Sequence, residues 1–545
     1  MKNLLSFILL LAFHTIYSQN PTWEWAHGIG GANNDAGLAI CSDTINGDVI
    51  VAGNFKNTIF FDTINITSSG SFNNTDIFLV KYSNNGSVKW ARRIGGDQIE
   101  NVFGICNDLA GNIYITGNFL NGSVFDNDTL ISNGGSDFYV AKYDANGNYL
   151  WSSAGGGTDG EGARDIATDA AGNIYVTGEF FSPTFSFGTG TVVNSAGNSA
   201  DLFLLKYDTA GNELWGKNAG GNSNDYGTTV TLDGLGNIIV GGGFLSSVFS
   251  ASGTILNNAN SSSLDALILK YDATGNLTWA KSFAGTGDDG VNHIDADAAG
   301  NIVAAGFYNS PSITAGTFTL NNSTPLSEDL FILKLNSAGN VQWALSAGGT
   351  DNERADDIEI NNSGTITVAV NYESAFQFGN FPIALPSDVD FFVSILDSSG
   401  NIYWVESAGS TGRDNIMSMA HDNSGAIYTT GYYESAPLNI GPYTLSNSGS
   451  SDIFIAKLSV PVGINNHSAI AENISIFPNP GAGIIHIRSQ EIMNAVTVFN
   501  TEGKIVLHEK PDAEYATFEL NQSGIYMVRM QMDKEIITRK IIINK

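Results

Sequence analysis

Seven times along the chain an Asp opens an almost unbroken apolar run. The runs are DIFLVKY from Asp76, DFYVAKY from Asp137, DLFLLKY from Asp201, DALILKY from Asp265, DLFILKL from Asp329, DFFVSIL from Asp390 and DIFIAKL from Asp452. A strand with one wet face alternates apolar and polar residues, so these runs predict strands covered on both faces. Each of the first six is followed by a turn, often ending in Gly-Asn, and by a strand carrying a Trp. Trp25, Trp90, Trp151, Trp215, Trp279, Trp343 and Trp404 recur at intervals of 65, 61, 64, 64, 64 and 61 residues. Earlier in each unit, a strand ends at Asp43, Asp108, Asp169, Asp233, Asp297, Asn361 or Asp422. A Gly-rich turn then leads into a second strand of the IYVTGEF type. A variable stretch between the second and third strands predicts a long loop or a small extra hairpin.

Four strands per unit, buried on both faces and repeated seven times, predict sheets stacked radially around an axis. The ends of the array predict closure. PTWEWAHGIGG, Pro21 to Gly31, is a fourth strand with no unit of its own, and the seventh unit lacks a Trp strand. One completes the other. The predicted fold is all-β, a seven-bladed β-propeller over residues 19–460, closed by its N-terminal strand.

The two ends read differently. Lys2 and the apolar run Leu4 to Phe13 predict a signal peptide over 1–18, because the run is too short to span a bilayer. Residues 461–471 read as a linker. Residues 472–545 hold seven short strand-like runs: ISIF, GIIHIRS, AVTVFN, KIVLHE, YATFEL, IYMVRMQM and EIITRKIII. Tyr526, Val528, Met530 and Met532 alternate with Met527, Arg529 and Gln531, which is a half-buried pattern. This segment predicts a small Ig-like β-sandwich.

Charge narrows the function. The chain has 545 residues with 24 Lys+Arg against 54 Asp+Glu, a net charge of -30. The tail and the leader nearly cancel, so residues 20–471 carry that charge. Such a surface argues against nucleic acid and anionic membranes as partners. No transmembrane segment is expected in the mature chain. Two Cys, Cys41 and Cys106, make no disulfide scaffold and are expected as buried thiols.

Ten residues after every repeat Trp stands an acid: Asp35, Glu100, Glu161, Asp225, Asp289, Glu353 and Asp414. Their place before the innermost strand predicts a ring near one mouth of the channel. We expect the ring to serve the repeat, each carboxylate accepting backbone N–H groups of the neighbouring blade. A cation site, with calcium as its ion, is the alternative. The Lys five residues after the third-strand Asp is expected to be paired between blades, and the Trp residues to pack blades or, if exposed, to stack on sugars. His27, His293 and His421 show no metal-ligand spacing. Arg92, Arg93, Arg164, Arg354 and Arg413 share no repeating position. No metal, other cofactor or catalytic residue is assigned.

Two resemblances add to this reading. The tail resembles the type A C-terminal sorting domain of the type IX secretion system of Bacteroidetes. The matching pieces are FPNP (Phe477, Pro478, Asn479, Pro480), VFNTEGKIV, the SGIYMVRM run with Gly524 and Tyr526, and the terminal RKIIINK ending at Lys545. The resemblance implies export, handling by the type IX machinery through residues 472–545, and release or attachment at the cell surface. The repeats, as in DAAGNIYVTG and DLFLLKYDTAGNELW, resemble SBBP-type propeller repeats of bacterial secreted proteins, which implies a scaffold. The expected function is a secreted or surface scaffold binding an extracellular glycan or protein. The alternative is a polysaccharide hydrolase or lyase with carboxylates at the channel mouth, Glu100, Glu161 or Glu353 among them.

Overall fold

The computed structural model describes residues 21–460, apart from 44–45, 70–73, 127, 198, 259, 261, 362 and 435–436. In the tail it describes 475–477, 483–500, 504–532 and 536–543. The leader, the linker, Pro478, Asn479, Pro480 and Lys545 lie outside the described residues. The chain divides into two compact units, Met1–Val462 and Gly463–Lys545.

In the first unit, seven antiparallel sheets each have four blade strands in the order innermost, second, third, outermost. Numbered by their innermost strands, blades 1 to 7 begin at Ala36–Asp43, Glu100–Asn107, Glu161–Thr168, Asp225–Leu232, Asp289–Ala296, Glu353–Ile360 and Asp414–His421. Each innermost strand neighbours the next, and the seventh neighbours the first, so the ring is closed. The strand Thr22–Ile29 is the outermost strand of blade 7. It pairs antiparallel with Asp452–Ser459, placing Trp25 opposite Lys457 and Gly28 opposite Phe454.

The apolar third strands are the reason for stacking. Asp76–Tyr82, Asp137–Tyr143, Asp265–Tyr271 and Asp329–Leu335 are buried along their whole length. Both faces meet neighbouring sheets, and the apolar clusters lie in these seams. The variable stretches form small hairpins such as Thr184–Phe187 with Gly190–Val193. This hairpin reaches back to the outermost strand of blade 2, where Gly155 pairs with Phe187.

One irregularity occurs in every blade. The innermost strand carries a bulge three residues after its acid, skipping Leu38, Phe103, Arg164, Thr228, Asn292, Asp356 or Met417 in the pairing. A bulge frees one residue from the ladder and re-aims its side chain.

The second unit is a sandwich of two antiparallel sheets. One holds Ser475–Phe477, Ile484–Met493 and Ala513–Glu519; the other holds Ile505–Glu509, Ala495–Asn500, Gly524–Gln531 and Ile536–Ile543. Tyr526, Val528, Met530 and Met532 face its core, as their alternation predicts.

Candidate functional site

The seven acids stand at the start of the innermost strands, and none is more than 1% exposed. They do not open to the channel. The Gly157 N–H donates to Glu161 at 2.7 Å, and the Ser182 N–H donates to its other oxygen at 3.1 Å. Glu353 accepts from Gly349 N–H at 2.7 Å and the Ser374 hydroxyl at 2.7 Å. Asp289 accepts from Gly285 N–H and the Ser310 hydroxyl, and Asp225 from Ser246. The donors belong to the crossover turn and to the acid's own blade, rather than to a neighbouring blade as the repeat pattern suggests. Burial pushes Asp35, Glu100 and Asp225 up to about 7 and Asp289 to about 6.

The third-strand Asp residues lie beside these acids. Asp137 accepts the Asn133 N–H at 3.0 Å; burial, with Glu161 nearby, raises it to about 6. At the opposite end of the blades, Lys and Trp act together. Lys142 Nζ donates to the Thr209 carbonyl of blade 3 at 2.9 Å, and Trp151 Nε1 donates to the same oxygen at 3.4 Å. Lys270 pairs with Asp233 at 2.8 Å. The turn glycine of the next blade covers the Trp face. Gly211 has φ of 84°, and a Cβ built on it would lie 3.1 Å from the Trp151 ring. Gly86, Gly147, Gly275, Gly339 and Gly400 stand in the same relation to Trp25, Trp90, Trp215, Trp279 and Trp343. That face of each ring packs against protein and is closed to sugars.

The histidines are nearer than their spacing suggests. His293 and His421 both lie on innermost strands, among acids that only some blades carry. His293 Nδ1 is 2.9 Å from Asp357, and His421 Nδ1 is 3.0 Å from Glu359. Burial would lower His293, but the Asp357 charge and hydrogen bond hold it up at about 10. The acids also join blades: the Val230 N–H donates to Asp165 at 2.7 Å and the Ile360 N–H to Asp295 at 2.9 Å. Among the described residues no three metal-binding side chains converge on one point.

The bulge residues build a different feature. Phe103, Arg164, Thr228 and Asn292, from four consecutive blades, line a cavity of about 340 Å³ at the end of the channel where the innermost strands begin. Two glycines open it. The position before the last residue of the second strand is Asn54, Asn118, Glu179, Phe307, Asn371 or Tyr432 in six blades and Gly243 in blade 4. Gly290 stands at a position that is also small in blades 1 and 3, Ala36 and Gly162, and carries Asn101, Tyr226, Arg354 and Asn415 in the others. The missing side chains leave a hollow walled by Leu264, Phe307 and Tyr226. Arg164 forks onto Glu179, with Nε 2.9 Å from Oε2, and its guanidinium lies 4.9 Å over the Phe103 ring. On the far side Arg354 lies 4.7 Å over Phe307 and bonds Glu328 at 2.7 Å. Exposed Asp97, Asp159, Asp288 and Asp351, on the crossovers just before the buried acids, collar this end. The cavity was missed in the sequence because absent side chains make it; lining up the second strands would have singled out the GGG of blade 4.

Residues 475–544 match the secretion system C-terminal sorting domain. The tail is therefore a type IX sorting domain, and the chain is directed to the cell surface or to secretion. An uncharacterized WD repeat-containing protein of Acanthamoeba polyphaga mimivirus is 23% identical over 533 residues, covering 79% of this chain and 38% of its own length. The regulatory protein FlaEY of Caulobacter vibrioides is 25% identical over 320 residues, covering 55% of this chain and 33% of its own. The chain thus spans about a third of the length of the curated relatives it matches. Among solved structures, the Neurospora crassa Pan2 WD40 domain aligns with a TM-score of 0.40 at 10% identity, over 80% of this chain and 98% of that one. No helix among the described residues is long and apolar enough to cross a membrane.

Proposed function

We propose that the protein is an exported propeller scaffold that binds an extracellular glycan or protein at the mouth beside blades 2 to 5. On this reading residues 19–460 are the scaffold, 461–471 a linker, and 472–545 the segment the type IX machinery handles. One observation supports it: a cavity opens at this mouth where the blades differ from one another, away from the Asp, Lys and Trp positions that recur around the ring. Recurring positions serve the repeat, whereas a ligand selects one place. Bulge residues on a rigid ring are suited to recognition, because the frame holds them without further ordering.

The polysaccharide-cleaving alternative has less support. It needs two carboxyls facing one bond at about 5–10 Å. Glu100, Glu161 and Glu353 have raised pKa values, but burial within hydrogen-bonded turns is the cause. Among the residues lining the cavity Glu179 is the one carboxylate, and Arg164 holds it.

The test compares the wild-type chain with Gly243→Phe, which gives blade 4 the side chain that blade 5 has at Phe307. A Cβ there meets first the Leu264 side chain, at 2.9 Å, which can turn away. On glycan arrays and in capture of proteins from the medium, the wild type retains a ligand and the variant loses it with an unchanged melting temperature. Equal retention by both moves function away from the mouth.

A further inference from the structure

We propose that the mouth cavity takes one apolar side chain, aromatic or long aliphatic, presented by a basic peptide segment of an extracellular protein. This rests on the scaffold reading and narrows its ligand from two classes to one.

The polar groups of the cavity are largely engaged. The Thr228 hydroxyl donates to the Val291 carbonyl at 2.7 Å. The Asn292 amide donates to Asp356 at 3.1 Å and to the Ala355 carbonyl at 3.2 Å. Arg164 and Glu179 hold each other through three contacts of 2.5 to 3.0 Å. What remains is aromatic and aliphatic surface around a glycine floor. A sugar ring carries a hydroxyl on nearly every carbon, and each one buried without a partner loses its bonds to water with nothing in return. A Trp or Leu side chain has little or no such requirement, and its burial is favourable in proportion to the apolar area removed from water. The cavity of about 340 Å³ accommodates one such side chain with part of its backbone.

Charge sets what flanks that side chain. The acidic collar of Asp97, Asp159, Asp288 and Asp351 lies at this end of a highly acidic propeller. Exposed like charges at a mouth draw a cationic partner and repel an anionic one, and the effect weakens with salt.

The full-length protein is titrated by fluorescence anisotropy with a labelled short peptide holding a central tryptophan between lysines. Controls replace the tryptophan by alanine or the lysines by glutamates, and cello- and chito-tetraose serve as competitors. The expected result is binding about tenfold tighter than either control, a difference of about 1.4 kcal/mol, with no competition by the sugars. The preference disappears in Gly243→Phe and in Gly290→Asn, which introduces the residue blade 2 has at Asn101. Equal binding of the alanine peptide, or an unchanged preference in a folded variant, overturns the inference. Tetrasaccharides that bind the wild type and not the variants overturn it too, but leave the scaffold reading standing. A wild type that retains nothing on glycan arrays or from the medium removes the scaffold reading itself.

Discussion

The seam between blades 2 and 3 and the mouth beside blade 4 use the same repeat in opposite ways. At the seam, Lys142, Trp151 and Gly211 occupy positions with counterparts in most other blades, and Lys142 Nζ and Trp151 Nε1 both donate to the neighbouring blade. At the mouth, Arg164, Gly243 and Gly290 stand at positions where the blades differ from one another, and a cavity opens. A closed ring needs many like contacts to stay shut, so uniform positions report on stability. Divergent positions either join one pair of blades in their own way, as Thr228 and Asn292 do, or leave a hollow open to recognition.

That contrast can be broken at several places. The largest loss is expected at closure. Trp25 is 8% exposed and its Nε1 donates to the Asn84 carbonyl at 3.0 Å. Trp25→Ala should cost about 3–5 kcal/mol in chemical denaturation. Next comes Glu353→Ala, which leaves the Gly349 and Ser374 donors unpaired and should cost about 2–4 kcal/mol by the same measurement. Gly211→Ala forces a side chain onto a positive φ against the Trp151 ring, and should cost about 1–2 kcal/mol. A smaller effect is expected from pH. The folded pKa values of Asp35, Glu100 and Asp225, about 7, lie above those of the unfolded chain, near 4. The folded state holds more protons between those limits, so calorimetry should show the melting temperature falling as pH rises from about 4 to about 7. Asp169 and Asp233 shift the other way and should erode stability only below that range. Gly243→Phe should leave the melting temperature nearly unchanged while abolishing ligand retention. A large stability loss there would place the mouth among the seams.

The same contrast explains what could be read in the chain. The Trp spacing and the doubly buried third strands announced seven sheets, because every blade needs the same cover. The orphan strand before Gly31 announced closure for the same reason. In the tail, the alternation at Tyr526 to Met532 was enough to place its core face. The acids before the innermost strands were equally visible, but their direction was not. Whether a carboxylate faces a channel or a turn depends on donors such as Ser182, which stands far along the chain from Glu161. His293 and His421 meet acids of neighbouring blades through the ring's curvature, which spacing along one strand does not encode. The cavity arises from what Gly243 and Gly290 lack, and a missing side chain leaves no motif.

Pairing of Thr22–Ile29 with Asp452–Ser459 imposes an order of events on biogenesis. The clasp joins the first and last strands of the propeller, so the longest loop in this unit closes only once the seventh blade has emerged. Such long-range closure is slow compared with hairpin formation. Until then the partial array keeps an open edge on each side. The ring therefore locks when the first strand of the propeller meets its last.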